Sequence, residues 1–225
     1  MAGGAETGER RHRLFLAVRL GGEANAAIGA WAKTRAGEFG NAGISWVSPS
    51  LYHLTLHFFG NVSGADAAAI AEGLEPLAGN VPAPALSILG VDCLPSRRAP
   101  RVLCLGLRIE PEGALDMVIG TARRLAAAVG AENDSRPWRA HLTLGRLREP
   151  PRGTFALPSG ELPDIGAQRI SPESFDLMES FLSPRGPRYE ALRRYYFAAP
   201  PSREAEGEAE GEAEGEGSPP RHQAS

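Results

Sequence analysis

The sequence predicts an α+β fold with two sheets, each covered on one side by helices. Three observations predict it. Apolar residues switch repeatedly between a period of two and a period near 3.6 along residues 11–199. The order strand, helix, strand occurs twice, and both times the closing strand carries His-Leu-Thr-Leu. Leu14 to His53 and Val102 to His141 are both 39 residues, so the halves are expected to be similar β-α-β units, as a duplication would leave them.

The elements follow in order. Residues 13–20 (RLFLAVRL) read as a strand, and 22–37 as an Ala-rich helix with Ala27, Ile28 and Trp31 on one face. Residues 44–47 form a short strand stopped at Ser48-Pro49. Residues 52–59 (YHLTLHFF) form a strong strand closed by Gly60-Asn61. Ser63 caps a helix over 64–79, with Asp66 at the capping-box position. Residues 86–91 and 101–109 are strands. Pro111 suits the first turn of the next helix, where its missing N–H costs nothing. That helix carries Leu115, Val118, Ile119, Ala122, Leu125, Ala126 and Val129 as a core-facing stripe. Residues 138–147 (WRAHLTLGRL), 169–182 and 188–197 complete the strands.

Composition bounds the function. The chain has 225 residues, 42% hydrophobic, with a formal charge of −3. That charge belongs to the tail: after Arg203 there are seven Glu against one Arg, so the body is +3, too little for broad nucleic-acid affinity. The Glu/Ala/Gly repeat buries almost nothing, so residues 200–225 are expected to be disordered, residues 1–10 loose, and 11–199 one folded body. No stretch approaches the ~20 apolar residues of a membrane span, and the N-terminus has no apolar core of signal-peptide type. A cytoplasmic protein with reduced thiols is expected. Cys93 and Cys104 read as small buried residues on neighbouring strands.

The chemistry lies in the repeated tetrapeptide. Side chains alternate along a strand, so His53 and Thr55 share one face while Leu54 and Leu56 enter the core. The same holds for His141 and Thr143 against Leu142 and Leu144. If the two units pack about a pseudo-twofold axis, two imidazoles and two hydroxyls face one cleft. Imidazoles titrate near neutrality, so one can be neutral while the other is protonated, as general acid–base cleavage of a phosphodiester requires. The hydroxyls can donate to the phosphate oxygens where charge builds up. No metal and no cofactor are expected, because these pairs bring no carboxylate or Cys as a third ligand.

These residues resemble the 2H phosphoesterases, named for two H-x-T-x motifs. Within them the chain is similar to the LigT-like RNA 2′,3′-cyclic phosphodiesterases, also called the 2′-5′ RNA ligase family. The similarity runs through RLFLAVRL, WVSPSLYHLTLHFFGNV, APRVLCLGL, WRAHLTLGRLR and the segment from Phe175 to Glu190. It implies two lobes, each an antiparallel sheet with outer helices, and an active cleft between them. It implies His53 as proton donor to the leaving group, His141 as the acceptor that activates water, and Thr55 and Thr143 as phosphate ligands. The partner implied is an RNA or nucleotide with a 2′,3′-cyclic phosphate end, hydrolysed to a 2′-phosphomonoester. His57, expected on the catalytic face, and Arg146 are further substrate-binding candidates; Arg139, Arg185 and Arg188 rank behind them. Trp46, Phe58 and Phe59 are candidates to stack a base. No protein partner is called for, and a monomer is expected. Two other readings use the same site: a 2′-5′ RNA ligase or linkage nuclease, and a non-catalytic module that binds RNA ends.

Overall fold

The structure is a computed structural model that describes residues 10–39, 43–133, 136–149, 155, 157, 170–184 and 186–199. The expected tail at 200–225 and all of 1–10 except Arg10 lie outside the described residues. The elements are β1 (His12–Val18), α1 (Gly22–Arg35), β2 (Ile44–Trp46), β3 (Leu54–Val62), α2 (Gly64–Leu74), β4 (Ala85–Leu94), β5 (Val102–Glu110), α3 (Asp116–Ala128), β6 (His141–Leu147), β7 (Ser174–Ser183) and β8 (Gly186–Tyr196).

Several boundaries differ from the sequence reading, each for a local reason. β3 runs on through Gly60, which sits at φ +72 where the register with β1 shifts, so the glycine serves a bulge rather than a strand end. Ser63 and Asp66 form the expected capping box on α2. The α-helix stops at Leu74 and continues only as a 3₁₀ turn over Glu75–Leu77, since Pro76 has no N–H to give Glu72. Pro111 lies in a turn before α3, with Gly113 at φ +79, and the helix starts at Asp116. Trp138 precedes β6 and donates its indole N–H to the carbonyl of Thr55 at 3.0 Å instead of joining the ladder.

The strands pair antiparallel throughout, in the order β4-β5-β6-β3-β1-β7-β8, with β2 on the edge of β6. The two expected sheets are therefore two sets of strands, β3-β1-β7-β8 and β2-β6-β5-β4, joined into one continuous sheet. Among the described residues the join is a single residue pair, Leu54 with Leu142. Beyond it β2 takes over the edge of β6, from Trp46 opposite Gly145 to Ile44 opposite Leu147.

The helices cover one face. The main core holds Leu14, Leu16, Leu54, Leu56, Leu142 and Leu144 from the strands and Ile28, Ile70, Val118 and Ala122 from the helices. Tyr195 of β8 ties the sheet to α2 by donating its hydroxyl to the Ala71 carbonyl at 2.8 Å. The opposite, helix-free face carries a small second cluster, Phe15, Ala17 and Met178, with Phe58 and Tyr189 packed on it. We call this the open face. Asp176 lies on it beside Ala17, buried under ion pairs from Arg19 at 2.8 Å and Arg194 at 3.0 Å. Among the described residues no helix is long and apolar enough to cross a membrane.

Both cysteines are free and buried on neighbouring strands. Cys93 pairs with Leu103 in the helix-side core, whereas Cys104 sits one position along, opposite Asp92 and Thr143 on the open face. Their side chains leave the sheet in opposite directions, which a disulfide cannot bridge.

The join between β2 and β6 tolerates no side chain at Gly145. A Cβ there would stand 2.6 Å from Ile44 Cγ2 and 3.1 Å from the Ser45 carbonyl, which is backbone and cannot rotate away. Gly145→Ala should cost about 1–3 kcal/mol, lowering Tm by several degrees in a thermal melt. Gly37→Ala, with open space around the Cβ, should leave Tm unchanged.

Candidate active site

The single pair that joins the two strand sets also sets the site. Leu54 and Leu142, the second residues of the two tetrapeptides, face each other antiparallel and are fully buried on the helix side. In a ladder of that register His53 stands across from Thr143, and Thr55 across from His141. Alternation then gives all four polar side chains to the open face. The imidazoles occupy opposite corners of this quartet, with Cα atoms on the order of 8 Å apart for regular ladder spacing.

Each imidazole is oriented in the same way. His53 Nδ1 lies 2.7 Å from the carbonyl oxygen of Leu51, and His141 Nδ1 lies 2.7 Å from that of Arg139, both two residues upstream. A carbonyl only accepts, so Nδ1 carries the hydrogen and Nε2 is left as the nitrogen for chemistry. Burial pushes both imidazoles below their ordinary value near 6.5. The carbonyl bonds oppose this. The charges of His141 and Arg146 push His53 further down, and those of Arg139 and Arg146 do the same to His141. Mutual repulsion disfavours the state with both rings protonated.

Two β-bulges, each just past a motif threonine, decide what else reaches the open face. In β3 the register with β1 steps from Thr55 opposite Ala17 to His57 opposite Leu16. His57 therefore shares the helix-side face with Leu16. It is buried to 6% exposure with its ring 4.7 Å from that of Phe59, and it is not part of the site. The expectation that His57 shares the catalytic face fails because the bulge breaks the two-residue period. Phe58 takes the open face in its place, opposite Phe15. In β6 the register with β5 steps from Thr143 opposite Cys104 to Gly145 opposite Leu103. Arg146 then pairs with Val102, on the same face as Thr143, although an unbroken strand would turn it away. His53 and Phe58 thus have the same spacing and facing as His141 and Arg146.

The two flanks of the quartet differ chemically. On the β1 side His53 is caged by aromatic rings, with Phe15 at 5.1 Å and Tyr189 edge-on at 5.4 Å. Phe15 and Tyr189 meet edge to face at 5.0 Å. Arg13 stacks its guanidinium over Phe58 at 4.6 Å. Tyr189, whose phenol is pushed up by burial, feels the opposing charges of both Arg146 and Arg13. On the β6 side the neighbours are polar: Arg139 pairs with Asp92 at 2.6 Å, and Arg146 is exposed. Phe15 and Tyr189, which contact the His53 ring, escaped the sequence reading of the site. Of the stacking candidates, Phe59 is fully buried in the main core, and Trp46 packs edge-on against Phe39 away from the quartet. Arg188 is paired with Glu190 and lies over Phe181, and Arg185 is outside the described residues. Among the described residues no group of three or more His, Cys, Asp or Glu is arranged to hold a metal ion.

Comparison with known proteins agrees with this architecture. The family described as LigT like Phosphoesterase matches over residues 20–104. A protein of Archaeoglobus fulgidus named RNA 2′,3′-cyclic phosphodiesterase is 30% identical over 189 residues, covering 80% of this chain and 98% of its own length. One of the same name from Methanothermobacter thermautotrophicus is 33% identical, covering 66% of this chain and 80% of the relative. The crystal structure of Escherichia coli LigT complexed with 3′-AMP superposes with a TM-score of 0.66 at 25% identity, covering 84% of this chain and all of that one. A Thermus thermophilus protein superposes at 0.59 with 30% identity, covering 82% of this chain and 97% of that one.

The lowered imidazoles carry a pH signature. Between about 6.5 and their lower native values the unfolded chain binds more protons than the folded one, so stability falls as pH drops through that window and is retained above it. NMR titration should find both rings titrating below 6.5. His53→Gln and His141→Gln should each flatten the acid side of a stability–pH curve.

Proposed function

Because the chain belongs to the LigT-like phosphoesterase family, we propose that it hydrolyses the 2′,3′-cyclic phosphate at an RNA end to a 2′-phosphomonoester, without a metal ion. The observation that carries this reading is the matched pair of imidazoles, each with Nδ1 bonded to a backbone carbonyl and Nε2 available on one open face. The names of the relatives support the substrate class, as does the 3′-AMP in Escherichia coli LigT.

In this mechanism the cyclic phosphate sits between the two corners of the quartet. His141 Nε2 takes a proton from water as its oxygen attacks phosphorus. His53, protonated on Nε2, gives that proton to the departing 3′-oxygen as the P–O3′ bond breaks. The products are a 2′-phosphate and a 3′-hydroxyl, and the enzyme returns to its starting state when the proton on His141 is passed back. The Thr55 and Thr143 hydroxyls donate to the non-bridging oxygens, and Arg146 balances the negative charge that grows there. The active form holds one proton on the imidazole pair, the state that mutual repulsion favours over two. Family resemblance alone decides which imidazole is donor and which acceptor; the backbone treats them alike.

The test is turnover of an oligonucleotide ending in a 2′,3′-cyclic phosphate, in EDTA, with the product phosphate located by NMR. His53→Ala and His141→Ala should each lose roughly 10²- to 10⁴-fold in kcat/KM, and Thr55→Val or Thr143→Val about 10- to 100-fold. The wild-type rate should be bell-shaped in pH. Full activity in either His variant, or a 3′-phosphate product, would sink the mechanism.

A further inference from the structure

The open face extends beyond the reacting quartet, and its arginines are not all used alike. Arg19 and Arg194 share the carboxylate of Asp176, and Arg139 is paired with Asp92. Arg13 has no carboxylate within ion-pair distance among the described residues. Its charge is held in place by Phe58, with the guanidinium 4.6 Å from the ring centre. Stacking uses the guanidinium face and leaves the in-plane N–H donors free for an anion. Phe58 packs against Phe15, and Phe15 touches the His53 ring, so an unbroken apolar floor runs from the proposed donor to this cation.

The distance indicates what it would bind. Ala17 lies opposite Thr55 on the open face; Arg13 is four residues further along β1, its Cα about 13 Å away at strand rise, and its guanidinium is held over Phe58, on the far side of Phe15 from the quartet. That is beyond the reacting cyclic phosphate and within reach of the next phosphodiesters of a chain leaving the site over Phe15 and Phe58. We propose that Arg13 binds a backbone phosphate upstream of the cyclic end, so that the preferred substrate is the terminus of an oligonucleotide and not a free cyclic mononucleotide. This inference rests on the hydrolase reading above and narrows its substrate.

The experiment compares kcat/KM for 2′,3′-cyclic AMP with that for a tetranucleotide ending in 2′,3′-cyclic adenosine phosphate, in wild type and Arg13→Gln. Wild type should favour the tetranucleotide. Arg13→Gln should lose about tenfold on the tetranucleotide while staying within about twofold on the mononucleotide. The salt slope of log kcat/KM for the tetranucleotide should fall by about 0.7, the value for one single-strand phosphate contact. The unchanged mononucleotide rate reports that the variant is folded. Equal loss on both substrates, no loss on either, or no wild-type preference would overturn the role of Arg13 and leave the hydrolase reading standing. Absence of wild-type turnover on both substrates would overturn the two together.

Discussion

One antiparallel contact, Leu54 against Leu142, governs the molecule. Among the described residues it is the only residue pair between β3 and β6, and it joins the two strand sets where the two tetrapeptides lie. Because the paired residues are equivalent members of the same tetrapeptide, the register puts each His beside the other motif's Thr. Burying the two leucines on the helix side forces the four polar residues out on the other. The stability of the core and the geometry of the quartet are thus one constraint: a one-residue slip would bury the imidazoles and expose the leucines.

The backbone around this contact is close to symmetric, but its side chains are not. Both histidines rest on a carbonyl two residues upstream, and both motif strands bulge just past the threonine. On this matched frame one half supplies Phe15, Phe58 and Tyr189, and the other supplies Arg146 and Arg139. A symmetric acid–base pair cannot by itself distinguish attacking from departing oxygen. The aromatic cage around His53 and the cationic side near His141 give the two rings different surroundings.

What the sequence made legible was whatever depends on strict alternation over a few residues. His53, Thr55, His141 and Thr143 lie where an unbroken strand puts them, and the Ser63–Asp66 cap and the α3 stripe are equally local. The reading failed beyond each bulge. His57 is two residues past Thr55 and should have shared its face; one extra residue in the register turned it into the core and brought Phe58 out. The same device brought Arg146 to the open face at a spacing that alternation would reject. A bulge depends on the partner strand's register, which a single strand's pattern does not encode. Tyr189 was hidden for a related reason: it comes from β8, far along the chain, and meets His53 only because β7 carries β8 to the same face.

Cys104 stands directly opposite Thr143, on the face where the phosphate is proposed to sit. A thiolate there would be a stronger nucleophile than water and a rival for phosphorus. Burial, reinforced by the charge of Asp92, raises this thiol to about 12, so at neutral pH it stays protonated and chemically silent. In the proposed mechanism the sulfur fills space beside the phosphate without entering the reaction. On that proposal, strand packing keeps Cys104 from competing with water for phosphorus and ending in a thiophosphate ester.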